Sequence, residues 1–336
     1  MIYTVTLNPA IDRTLLLDGN LIPGDVNRAT LKKVSAGGKG INCAEAAGSM
    51  GIPTAAYCIV GSDNVNEFQE STKGLSTHIR MLKRPGLTRT CIKMYGKNNL
   101  TTECNEKGDR ISSKEMNNFL SMLMQDIQNE GKPEFILLSG SIPPGAESGL
   151  YADMAALFHR FGIRVMLDCD GEALEKGICA GVFLVKPNLS EFEAFCRRPL
   201  STIEEIVEAA ENAAKQYHTR ILVTIGAQGM IYCDETSCYQ VTVPSLTCKT
   251  TVGAGDTVLG VLAGGLARGL TMDKALQLAA AAACAKVTAE PGLFPRQSDV
   301  TPFLSQIEVV SLKSNDDTEM MEIIEEIPKS EIEQNG

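Results

Sequence analysis

The stretch TVGAGDTVLG (251–260) sets one carboxylate among small residues at the head of an apolar run. Two glycines and Ala254 let a ligand approach the backbone closely. The VLGVLAGGLARG run that follows has helical character, so the loop leads into a helix N-terminus. Unpaired N–H groups and the positive end of the helix dipole favour an anion there, phosphate oxygens above all. A dinucleotide-binding Gly-x-Gly-x-x-Gly loop is excluded, because Val258 stands where the third glycine must be. Two readings of Asp256 stay open. It caps the helix, or it is a general base that takes a proton from a substrate hydroxyl while the loop amides hold charge on a transferring phosphoryl group.

Four other stretches carry residue types suited to the same chemistry. SAGGKGIN (35–42) is a glycine-rich turn with a lysine. It is not a Walker A loop, since Lys33 occupies the first glycine position and Gly40 follows the lysine. A tight turn accounts for its glycines but not for Lys39 and Asn42. NPAID (8–12) places Asp12 at the carboxyl end of the first strand, for sugar hydroxyls or for a turn after Pro9. KPNLSEFE (186–193) spaces Asn188 and Glu191 by three, as a capping box or as holders of the waters around Mg²⁺. TIGAQG (224–229) suits a nucleotide edge or a plain hairpin.

These stretches need a scaffold that gathers strand ends. YTVTL (3–7), TAAYCIVG (54–61), FILLSG (135–140), VMLDCD (165–170), VFLVKPN (182–188) and ILVTIG (221–226) read as buried strands. Helical patterns lie at 40–51, 112–129, 147–161 and 201–217. The alternation predicts an α/β fold: a mostly parallel sheet with helices on both faces and ligands at the strands' carboxyl ends. Residues 13–34 and 87–106 alternate like half-exposed strands and are expected to form a small β-sheet lid.

Composition narrows the classes. The 336 residues carry a net charge of −10, which argues against a nucleic-acid partner but not against a basic pocket for small anions. Eleven cysteines, odd in number and irregularly spaced, argue against a disulfide framework; Cys233 and Cys238 are the closest pair. A reducing, cytoplasmic setting is the default expectation. The three histidines are scattered, so neither a zinc site nor a Cys/His nucleophile is expected. MIYTVTLNP reads as a strand rather than a signal peptide, and no apolar run is long enough to span a membrane. Residues 313–336 hold eight acidic side chains and two lysines, and read as a solvated tail.

Taken together, NPAID, GGKGIN, SGSIPPG, KPNLSE, TIGAQG and TVGAGD, in this order and at strand ends, resemble the PfkB family of sugar kinases in the ribokinase-like fold. The resemblance covers roughly residues 1–305, within a single kinase domain expected to span 1–312. GGKGIN, TRTCIKM and MLDCDGEAL are most similar to its hexose-phosphate branch, the 1-phosphofructokinases and tagatose-6-phosphate kinases. It implies ATP-dependent phosphorylation of a sugar phosphate, with Asp256 as base and the amides of Gly253, Ala254 and Gly255 as anion hole. It implies that Asp12, Gly38 and Asn42 bind sugar hydroxyls near Lys39. Arg28 and Arg89 would hold the substrate's own phosphate, beside Ser139. Asn188 and Glu191 would support Mg²⁺ through water, and Lys186, Thr224, Gly226 and Gly229 would border ATP. A homodimer through the lid is a further expectation. AEPGLF (289–294) stands, as a loose match, where relatives often bind a monovalent cation. Fructose 1-phosphate is the preferred substrate and tagatose 6-phosphate the alternative. A non-catalytic sugar or nucleotide sensor is the competing class, disfavoured because binding alone does not need the base.

Overall fold

A computed structural model describes residues 1–97 and 100–312. The acidic 313–336 stretch lies outside the described residues. Ten strands form the main sheet, in the order β14-β13-β12-β11-β10-β9-β8-β1-β4-β5. At its centre lie β1 (Ile2–Thr6), β4 (Thr54–Gly61), β8 (Phe135–Ser139), β9 (Arg164–Asp168), β10 (Leu184–Val185) and β11 (Arg220–Thr224). These strands, with β5 (His78–Arg84), run parallel. One end departs from the parallel pattern. β12 (Met230–Cys233), β13 (Cys238–Thr242) and β14 (Glu308–Ser311) add as antiparallel strands.

The central strands read as continuous apolar runs because both of their faces are covered. Alternate residues diverge: Ile136 and Leu138 point to one core, Phe135 and Leu137 to the other. The first core receives α3 (Ser113–Glu130), α4 (Leu150–Arg160), α5 (Gly171–Cys179), α6 (Leu189–Cys196) and α7 (Ile203–Tyr217). The second receives α1 (Lys39–Ser49), α8 (Ala254–Ala267), α9 (Met272–Thr288) and α10 (Gln297–Leu304). α2 (Val65–Ser71) inserts Phe68 into a third, smaller cluster below the lid.

The second sheet has the order β3-β2-β6-β7, from β2 (Ala10–Leu17), β3 (Ala29–Gly37), β6 (Arg89–Tyr95) and β7 (Thr101–Asn105). Asp12 therefore does not end the first strand, as the sequence suggests. β1 stops at Thr6, and Asp12 is the third residue of β2, at the base of the second sheet. Cys233 and Cys238 form a disulfide across the β12–β13 hairpin, where the two residues pair directly. This is a single local bridge rather than a framework, in a chain for which a reducing setting was the expectation; the other nine cysteines form no disulfide.

Candidate active site

Asp256 lies in the first turn of α8, but it is not the cap. Gly253 is the N-cap, with φ 81°, and Asp256 is the third residue of the helix. Gly253 has no side chain to fold over the first turn. The amides of Gly253, Gly255 and Asp256 have no hydrogen-bond acceptor among the described residues. That of Ala254, expected in the anion hole, donates to Thr251 O at 3.3 Å. Thr257 turns its hydroxyl back to Gly253 O at 2.8 Å, fixing the turn.

The Asp256 carboxylate is 8% exposed and accepts from Asn42 Nδ2 at 2.7 Å. Burial, and then the charge of Asp168, raise its pKa above the ordinary aspartate value. Asn42 reaches it because α1 starts at Lys39, directly after Gly38 at φ 128°. The start of α1 sits hard against β1: a Cβ at Gly40 would come 2.5 Å from Thr6 Oγ1. Gly38 and Gly40 of GGKGIN thus serve helix-to-strand contact, and the contact aims Asn42 at Asp256.

A buried ion cluster surrounds this pair. Asp168, at the carboxyl end of β9, receives Lys39 Nζ at 2.8 Å on one oxygen. Its other oxygen lies 3.0 Å from Lys186 Nζ, as an ion pair rather than an aligned hydrogen bond. Burial disfavours the charged carboxylate, yet the two lysines hold the Asp168 pKa below its ordinary value. The same attraction outweighs burial at Lys39 and holds its ammonium above the usual lysine range. Lys186 is 4% exposed, and a Cβ on Gly255 would stand 3.1 Å from its Nζ. So an ammonium overhangs the loop whose amides are open.

Asp12 pairs with Lys93 Nζ from β6. Burial raises the Asp12 pKa, and Lys93 opposes the shift. Gly37, across the strand pair, leaves room for the carboxylate, since any Cβ there would overlap it. Arg89, on the same face of β6, gives Nη2 and Nε to Asn8 O at 3.0 and 3.2 Å. Its Nη1 goes to Glu106 O at 2.8 Å.

Two expected members stand apart. Ser139 is fully buried with its hydroxyl facing the Cys43 thiol, so its side chain does not line the cleft. Ser141, which accepts from Asn8 Nδ2 at 3.1 Å, is the half-exposed hydroxyl nearby. Arg28 is exposed and precedes β3, beyond the Leu17–Ala29 register pair. That end lies roughly 17 Å along the strand from Asp12, at about 3.3 Å per residue.

Asn188 and Glu191 form a complete capping box on α6: Glu191 N–H donates to Asn188 Oδ1 at 2.9 Å, and Asn188 N–H to Glu191 Oε2 at 2.8 Å. The box does not consume the second carboxylate oxygen of Glu191, and the charge of Glu191 acts on Lys39. Among the described residues, no three His, Cys, Asp or Glu side chains converge as metal ligands. A Mg²⁺ ion here would rest on few protein ligands, with water and phosphate oxygens completing its shell, which fits its chemistry.

Two cavities meet at the α8 loop. One, of about 380 Å³, is lined largely by apolar groups such as Val243, Leu246 and Val258. Thr224, Gly226, Gly229, Ala254 and Gly255 complete its rim. Its apolar lining suits a heterocycle whose phosphates run to the loop. The second, of about 330 Å³, is bounded by Asp12, Asn42, Lys93, Gly253 and Lys286.

In the expected monovalent-cation segment, 289–294, two carbonyls have donors within the chain: Glu290 O accepts from Leu293 N, and Gly292 O from Lys33 Nζ. The Glu290 carboxylate pairs with Lys249 at 2.8 Å.

Sequence reasoning missed Asp168, Lys93 and Lys286. Asp168 closes the apolar run VMLD, and a carboxylate at a strand's carboxyl end was the available signal. For Lys93 and Lys286 there was none, since their partners lie on distant elements.

The pfkB family carbohydrate kinase model matches residues 5–296. The 1-phosphofructokinase of Xanthomonas campestris is 32% identical over 270 residues, covering 78% of this chain and 83% of that protein. The 1-phosphofructokinase of Escherichia coli K12 is 29% identical over 287 residues, covering 85% and 91%. The crystal structure of phosphofructokinase-2 from Escherichia coli in complex with potassium superposes with a TM-score of 0.83 at 24% identity, covering 90% of this chain and 98% of that one.

Proposed function

From the premise that this chain belongs to the pfkB family of carbohydrate kinases, we propose that it transfers the γ-phosphoryl group of ATP to the free primary hydroxyl of fructose 1-phosphate, yielding fructose 1,6-bisphosphate. One observation carries the reading. Asp256, held by Asn42 at 2.7 Å, directly follows the open amides of a helix start whose loop residues border both an apolar and a polar cavity.

Asp12 and Asn42 orient the sugar, and Asp256 takes the proton of the attacking hydroxyl. Its raised pKa brings it closer to that of a base working near neutral pH. The Gly253 and Gly255 amides, with Lys186 overhead, stabilise charge on the transferring group. Asn188 and Glu191 would hold Mg²⁺ through water, and the ion would supply neutralisation of phosphate charge. Arg89 holds the substrate's phosphate, since a guanidinium suits bidentate phosphate binding. The 1-phosphofructokinase relatives support fructose 1-phosphate over tagatose 6-phosphate. Leu16, Ile22, Val26, Leu31 and Leu100, exposed on and beside the second sheet, support pairing of two lids in a homodimer.

The test is a substrate panel of fructose 1-phosphate, fructose 6-phosphate and tagatose 6-phosphate. The expected ratio of kcat/KM favours fructose 1-phosphate by about 10² or more, because a misplaced phosphate forfeits the Arg89 contact. Equal or reversed ratios reject the substrate. No ATP consumption with any of them rejects the enzyme in favour of a sensor.

A further inference from the structure

Lys286 is 2% exposed, in the last turn of α9. Its ammonium makes no hydrogen bond or ion pair among the described residues. An uncompensated buried ammonium is costly, so its position needs a reason. Its surroundings are specific. A Cβ on Gly253 would stand 3.2 Å from Lys286 Cε and 3.9 Å from its Nζ. The Phe294 ring centre lies 4.9 Å from Nζ, a cation–π contact. The C-terminal dipole of α9 also favours a cation at this place. Burial, and then the positive charge of Lys93, depress its pKa to about 8, while Asp256 opposes them. The ammonium is therefore still mostly charged at neutral pH.

The side chain thus borders the polar cavity directly behind the N-cap of α8. The neighbouring 289–294 segment, where a monovalent cation was expected, has two of its carbonyls engaged, and Lys33 places a second ammonium on one of them, Gly292 O. We propose that Lys286 is the resident cation of the anion-binding loop: a covalently held ammonium that supports charge on the transferring phosphoryl group and makes the enzyme independent of an added monovalent ion.

This rests on the kinase reading above, and the test separates the two. The wild-type enzyme is assayed in K⁺, Na⁺ and tetramethylammonium salts at equal ionic strength. Lys286→Met and Lys286→Ala are then compared with it, the latter with and without propylammonium. In parallel, calorimetry measures binding of ADP with aluminium fluoride, a phosphoryl mimic that needs no sugar. The wild type is expected to show the same kcat in all three salts. Lys286→Met is expected to lose about 10² in kcat, with both KM values within about threefold, and to bind the mimic more weakly. Propylammonium is expected to restore part of the Lys286→Ala loss. Removing an unpaired buried charge should leave Tm at or above wild type, so lost turnover would not reflect misfolding.

A wild type that needs K⁺, a Lys286→Met enzyme with wild-type kcat, or a loss confined to the KM of the sugar phosphate would each overturn the proposal. Turnover of a different sugar would reject the substrate assignment while the mimic affinity still reported on Lys286.

Discussion

Glu191 on α6 and Asp256 on α8 stand at the same helical position, three residues past the N-cap, a position that α2, α3, α7 and α10 also fill with a carboxylate. Both experience the same dipole. They differ in the cap. Asn188 fills the first turn of α6, and Glu191 closes the box from the other side. Gly253 leaves the first turn of α8 open, and Asp256 turns away to Asn42 on a different helix. The side chain at the α6 cap satisfies that helix start, and its absence at α8 leaves amides open to a ligand. Position in the helix does not separate the two cases, but the occupant of the cap does.

The largest break in this comparison is Asp256→Asn. It keeps the shape of the turn and removes the base, so kcat should fall by about 10²–10⁴. ATP affinity by calorimetry should change little; near-wild-type turnover would return Asp256 to a structural role. Gly253→Asn would give α8 the kind of cap that α6 has. Asparagine tolerates the positive φ better than most residues. Steady-state assays should show kcat down by about 10², because the amides are now occupied. Unchanged kcat would mean that the loop amides hold no charge during transfer.

On the other helix, Glu191→Gln preserves the capping box, since glutamine can close it. A Mg²⁺ titration should show the half-saturating concentration rise by about tenfold, with Tm unchanged. An unaltered requirement would leave Glu191 as a cap alone. Smallest is Asn188→Ala, expected to cost about 1 kcal/mol of stability by denaturant titration.

The same contrast marks what could be read from sequence. Buried strands such as FILLS and TAAYCIVG were legible because apolar runs of that length have few other uses in an α/β chain. The motifs at their ends were legible too, as unusual residue types. Whether GAGD begins with a cap or contains one was not. Asp256 suits both roles, and the choice depends on where the chain turns left-handed, here at Gly253. Lys39–Asp168–Lys186 and Asp12–Lys93 were hidden for another reason. Each pair joins residues more than ten apart, and only the sheet order brings them together. Arg28 shows the converse: the residue type was right for phosphate, but the strand register carries it away from Asp12.

The central claim is that a buried carboxylate at an uncapped helix start takes the proton. Its most direct test is the pH dependence of kcat/KM in the wild type and in Asn42→Ala. Because burial raises the Asp256 pKa, activity should be lost, as pH falls, through a value above the usual aspartate figure of about 4. The Asn42 hydrogen bond lowers that pKa, so its removal should move the acidic limb to higher pH. A limb that stays at the same pH in Asn42→Ala, or that persists in the residual activity of Asp256→Asn, would contradict the account.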